Sequence, residues 1–238
     1  QGYDIEDMAE KFIKWRDEAY WTAHNEVFDI GKTTSIAISR LKRIIKEDHL
    51  DELTRQKEQG IPQDNGNGSL MRIIPLLFHI RGKAIQEQFD IIWEVSALTH
   101  RHIRAAMSCL IYLKIAEKIL DGMDKREAYN QTRKDISKFW ENIGFPAEER
   151  KHFNKLIQND ILDTPKDELL SGGYVIEVLE SSIWFFLNTD NYRDSILGII
   201  NLGHDTDTSA AITGGLSGLY YGVDNIPTHW VNTIARKK

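Results

Sequence analysis

The chain of 238 residues is 41% hydrophobic and 28% charged and carries a net charge of −6, so it can bury an ordinary core and offers no basic surface for nucleic acid. Its one cysteine, Cys109, excludes an internal disulfide and points to a reducing, cytoplasmic compartment; set among apolar residues, it reads as a small buried hydrophobe rather than a nucleophile. No stretch is apolar over the length of a membrane-spanning helix and no signal-peptide pattern opens the sequence, so neither membrane nor nucleic acid is expected as a partner.

Apolar residues recur at three and four through most of the chain, which predicts helices. Ile5, Met8, Ala9, Phe12 and Ile13 form the first such face, and Ala37, Leu41, Ile44 and Ile45 the second. Residues 52–67 are polar, with Pro62 and glycines, and read as a long loop of the kind that often carries function. Pro75 falls inside an apolar run and is expected to kink or break a helix there. Ile103, Ala106, Met107 and Leu110 give the next face, followed by Ala128, Tyr129, Thr132, Ile136, Phe139 and Trp140. The cleanest is Val175, Val178, Leu179, Ser182, Ile183 and Phe186; it overrides the strand that "GYVIEV" alone would suggest. Without repeats, linkers or strict alternation, the expectation is one all-α domain over 1–238, of roughly ten helices.

Five stretches carry chemistry. "NLGHDTDTSAAITGGLSGLYYG", 201–222, sets Asp205 and Asp207 two apart before a helix whose Ala210, Gly214, Gly218 and Gly222 form a ridge almost without side chains. The carboxylates repel, so either a helix N-terminus compensates by capping or a hard cation such as Mg²⁺ or Mn²⁺ sits among Asp205, Asp207 and Thr208. The small-residue ridge predicts a central helix closely approached by its neighbours. "DNGNGSLMRIIPL", 64–76, is a turn whose Gly66 and Gly68 permit unusual backbone angles, followed by a helix-like run from Ser69; that arrangement suits an anion such as phosphate. In "VFDIGKTTS", 27–35, Asp29 precedes Gly31, and the plainer reading is a helix cap with a hydrophobic staple. "ALTHRHIRA" places His100 and His102 at a helix junction, too close in sequence to share a helix face. "SGGYVIEVLESSIWFFL" puts Tyr174 at a helix start, where core packing is the plainer reading.

In this order, with the tail "IPTHW…IARK" from Ile226, these stretches resemble the ADP-ribosylglycohydrolase family over roughly residues 4 to 236. The resemblance implies a compact orthogonal all-α fold and metal-dependent hydrolysis of the glycosidic bond between ADP-ribose and a modified protein side chain, with two Mg²⁺ or Mn²⁺ ions. It implies that Asp205, Asp207 and Thr208 are metal ligands. Gly66, Asn67, Gly68, Ser69 and Met71 would cradle the ADP-ribose, His100 and Tyr174 would line its cleft, and Asp29 would stand beside the distal ribose as base or positioning group, with Asp207 the second catalytic carboxylate.

Two departures follow. His204 stands where the family often has glycine. The family's opening glycine-rich helix and its Ser/Thr-Asp-Asp-Thr motif are not found ahead of "YDIEDMAEKFIKW", so about half of the expected metal ligands are missing. The expectation is that this segment was cleaved or lies outside the given sequence; a truncated chain would expose apolar surface and self-associate. The competing readings are an inactive module that binds ADP-ribose and a structural protein that reuses the fold.

Overall fold

The computed structural model describes residues 3–235; positions 236 and 237 of the tail motif lie outside that range. Helix α1 (Ile5–Glu18) starts at Asp4, whose carboxylate accepts from the backbone N–H groups of Glu6 and Asp7, both at 3.0 Å. This side-chain cap satisfies donors that the first turn would otherwise leave open. Helix α2 (Lys32–Lys46) packs on α1, and Ala9, Leu41 and Ile44 close a small core with Leu53 and Leu98.

Residues 52–67 lack a long helix, as expected, but they are not an open loop. A helical turn at Asp51–Thr54 leads into 3₁₀ turns at Gln56–Gln59 and Pro62–Asp64, then at Leu70–Arg72 and Ile74–Leu76. Gln56, Asp64, Asn65 and Asn67 are buried. Pro75 sits in the last of these turns, and α geometry begins only at Leu77.

Helices α3 (Ile85–Ala97), α4 (Ile103–Leu120), α5 (Lys125–Ile143) and α6 (Val175–Asn188) enclose the main core. Thirteen of the 18 residues of α4 and ten of the 14 of α6 are buried, which makes these two the centre of the bundle. Helices α7 (Tyr192–Ile200) and α8 (Thr206–Tyr221) pack on each other, and α8 also leans on α4 and α6.

The ridge predicts a central helix gripped by its neighbours; α8 does pack against α4, α6 and α7, but only six of its 16 residues are buried. What approaches it are aromatic side chains. The Tyr112 hydroxyl passes over Gly215 to donate to the Ile212 carbonyl at 2.9 Å, and the Tyr192 hydroxyl lies 3.1 Å from where a Gly214 Cβ would stand. Glycine weakens a helix, and here the missing side chains are the space two tyrosines occupy.

Among the described residues no helix is long and apolar enough to cross a membrane, and the β structure is a single antiparallel bridge between Gly66 and Tyr174. The bridge matters for the site. Asn67 N–H donates to Gly173 O at 3.1 Å and Val175 N–H to Asn65 O at 3.0 Å, which ties the glycine turn to the start of α6.

Candidate active site

Three segments far apart in sequence meet at one end of the bundle: the start of α8, the turn at 66–68 and the residues before α6. Their positions are set by backbone bonds. Asp205 N–H donates to Ser171 O at 3.0 Å, and Ser171 Oγ donates to Gly203 O at 2.8 Å. Gly203 (φ 80°) and His204 (φ 58°) are both left-handed, which turns the chain sharply into α8.

Asp205 is the N-cap residue of α8, yet its side chain makes no capping bond. Its Oδ2 instead accepts from Asn67 Nδ2 at 2.7 Å, and the same amide donates to Gly172 O at 3.3 Å. The capping reading of Asp205 is therefore set aside. Asp207 is exposed in the first turn, and no residue among those described pairs with its carboxylate. Thr208 is 7% exposed, and its hydroxyl meets only the Met71 sulfur at 3.7 Å, a weak acceptor.

These groups line a cleft of about 440 Å³, a volume typical of small-molecule sites. Asp29, Gly66, Asn67, Gly68, Met71, His100, Asp205, Asp207 and Thr208 all reach it, so nine of the residues singled out in the sequence share one cavity. Asp29 is exposed on the loop before α2. It does not cap that helix: Gly31 is the N-cap without a side-chain bond, and Phe28, at 86% exposure, staples nothing. The first turn of α2 (Lys32, Thr33, Thr34) also lines the cleft and contains no acid, so its open N–H groups favour an anion there.

Two residues point elsewhere. The Ser69 side chain is fully buried, accepts from Ser96 Oγ at 2.9 Å and lies 3.8 Å from Cys109 Sγ, on the core side of the turn. Tyr174 packs on the main core with its hydroxyl near the Arg104–Glu149 ion pair; its neighbour Gly173 reaches the cleft in its place. The anion argument for residues 64–76 also changes. Gly66 and Gly68 do not have positive φ, and the turn runs into a three-residue 3₁₀ segment rather than an α-helix. They are glycines because His100 lies against them. A Cβ on Gly66 would stand 3.0 Å from His100 Nε2, and one on Gly68 would stand 2.7 Å from His100 Cε1.

His100 is 2% exposed, and burial, followed by the nearby charge of Arg72, pushes its pKa down to about 3. The imidazole is neutral at physiological pH. Arg72 is half-buried, and desolvation lowers its pKa to about 10; Nη1 donates to Gly68 O at 2.6 Å and Nη2 to Thr99 Oγ1 at 2.7 Å, while the guanidinium sits 4.8 Å from the centre of the Phe12 ring. Arg72, Thr99 and the rim aromatics Trp15 and Phe28 escaped the sequence reading. Phe28 alone left a trace there, as an apolar residue beside Asp29 in a polar stretch.

The donor chemistry of Asp205, Asp207 and Thr208 fits a hard divalent cation: two carboxylates and a hydroxyl left without a good acceptor. Among the described residues no cluster of three acids, histidines or cysteines completes a ligand set around them.

The profile of the ADP-ribosylglycohydrolase family matches residues 1–238, and the chain belongs to that family. It is 28% identical over 237 residues to the ADP-ribosylarginine hydrolase Tri1 of Serratia proteamaculans (strain 568), covering 99% of this chain and 58% of that protein. It is 22% identical to the ADP-ribosyl-[dinitrogen reductase] glycohydrolase of Rhodospirillum rubrum, over 98% of this chain and 67% of that one. A solved structure described as an ADP-ribosylglycohydrolase-related protein complex superposes with a TM-score of 0.73 at 21% identity, over 98% of this chain and 70% of the other, which agrees with the all-α fold. The chain thus spans a little more than half the length of the first of these relatives.

Proposed function

We propose that this chain carries the ADP-ribose site of an enzyme that hydrolyses the bond between ADP-ribose and a protein side chain. The observation that supports this most is the convergence of Asp29, Asp205, Asp207, the 66–68 turn and His100 on one cleft. By their names, one of the relatives above acts on ADP-ribosylarginine and the other on ADP-ribosylated dinitrogen reductase, which supports the substrate class proposed here.

The residues divide the work by charge. The His100 edge and the first turn of α2 face the cleft with donors, suited to a diphosphate. Asp205, Asp207 and Thr208 would hold Mg²⁺ or Mn²⁺, and a bound cation supplies Lewis acidity toward ribose oxygens and lowers the pKa of a water. Asn67 fixes the Asp205 carboxylate before anything binds, which is how a site on rigid elements is preorganised. Asp29 is placed to accept a ribose hydroxyl or take a proton from the attacking water. Carboxylates around the anomeric carbon suit the positive charge that develops as a glycosidic bond breaks.

The test is calorimetric titration of ADP-ribose into the chain, once with Mg²⁺ and once with EDTA. Binding in Mg²⁺ that disappears in EDTA and in Asp205→Ala is the expected result. A second reading, a module that binds ADP-ribose without metal and does not cleave it, is favoured because no three acids, histidines or cysteines among the described residues stand close enough to hold one metal; equal binding under both conditions would select it. No binding in either condition removes both readings for this chain.

A further inference from the structure

We propose that Arg72 and Thr99 are positioning residues that lock His100 in one neutral tautomer, with its proton on Nε2, so that the ring donates a hydrogen bond into the cleft. The inference rests on reading the cleft as the ADP-ribose site only for the identity of the acceptor, a diphosphate oxygen. The proton's location follows from local bonding.

Arg72 Nη2 donates to Thr99 Oγ1, because a guanidinium has no acceptor to offer. Thr99 is 2% exposed, and its hydroxyl hydrogen has one acceptor within reach, His100 Nδ1 at 2.8 Å. If Nδ1 carried a proton, the hydroxyl hydrogen and the N–H would face each other and the hydroxyl would be left buried without an acceptor, which costs about 1–3 kcal/mol. Nδ1 is therefore the acceptor, and the proton of the neutral ring is on Nε2. The positive charge at the head of this chain of bonds also opposes a second proton on the ring, in the same direction as burial.

Nε2 is the end that matters to a ligand. It lies against Gly66, the ring lines the cleft, and none of the described residues takes its hydrogen bond. An unpartnered donor on a buried ring that lines a cavity asks for an acceptor. A neutral donor also keeps its function across the whole physiological pH range, whereas an ordinary histidine titrates within it. Arg72 thus contributes to anion recognition without touching the anion: its charge is spent on the 66–68 turn, through Gly68 O, and on the tautomer, through Thr99.

The experiment is heteronuclear NMR of the imidazole nitrogens of the full chain, with the His100 signals assigned by their loss in His100→Gln. The expected spectrum has protonated Nε2 and bare Nδ1, unchanged between about pH 5 and 8. Thr99→Val keeps the side-chain shape and removes the hydroxyl; it should yield a mixture of tautomers and weaken ADP-ribose about tenfold, and Thr99→Ser should restore both. A proton on Nδ1 in the unmodified chain, a ring that titrates near its ordinary value, or a Thr99→Val spectrum identical to the parent overturns the proposal. Should the spectrum be as expected while ADP-ribose fails to bind the parent chain, the tautomer assignment stands and the substrate reading is the one that falls.

Discussion

At His204 the backbone needs a conformation that a side chain resists. Its φ of 58°, directly after Gly203 at 80°, turns the chain so that Asp205 meets Asn67. A residue with a Cβ in this region costs about 1 kcal/mol, and glycine avoids most of that. His204→Gly should raise stability by about 0.5–1 kcal/mol, read as a higher urea midpoint at unchanged slope; a lower midpoint would show that the imidazole makes a compensating contact. Single residues were legible in the sequence where their type is unusual and misread where their partner is remote. Gly66 and Gly68 stood out, but the reason, a histidine 32 to 34 positions on, did not. Ser69 was grouped with its neighbours in the turn, although its hydroxyl faces Ser96 and Cys109. Arg72 and Thr99 gave no signal at all, because a bond across 27 residues leaves no local pattern.

Helices were read well and the 3₁₀ turns poorly, for a physical reason. A long helix prints a period of 3.6 on its buried face, and α1, α2, α4, α5 and α6 all carry it. Turns of three or four residues are too short to print any period. The ridge of α8 was legible as close packing, but not who packs there. The structure makes its glycines unequal. A Cβ on Gly215 would overlap the Tyr112 hydroxyl and come within 2.9 Å of Ile74 Cδ1, whereas one on Gly218 would meet Tyr192 at an ordinary 3.9 Å. Gly215→Ala should therefore destabilise by about 1–3 kcal/mol, since the Tyr112–Ile212 bond must yield. Gly218→Ala should stabilise by about 0.5–1 kcal/mol through helix propensity alone. Thermal denaturation of the pair checks this, and equal shifts in one direction would contradict it.

Across the molecule, a buried histidine and a half-buried glutamate set opposite pH slopes on stability. His100 is held near pKa 3 against an ordinary 6.5, so between those values the unfolded chain binds a proton that the folded chain refuses, and stability rises with pH. Glu180 is raised from 4.5 to about 7, by burial first, with the Lys155 charge opposing and Glu177 adding. Between those values the folded chain holds a proton that the unfolded chain has lost, and stability falls as pH rises. Urea midpoints from about pH 4 to 8 should show the rise flattened in His100→Gln and the fall flattened in Glu180→Gln. Parent and variants with parallel profiles would refute both assignments.

The bond between Asn67 and Asp205 spans 138 residues, and the contact of Met71 with Thr208 spans 137. Contacts of such separation close the largest loops in a chain, and their entropy cost is met only after the local structure between them is in place. The acids and the glycine turn thus meet only where that long loop is closed. The capacity to bind is in this sense a certificate of completed folding, withdrawn whenever either end of that long loop opens.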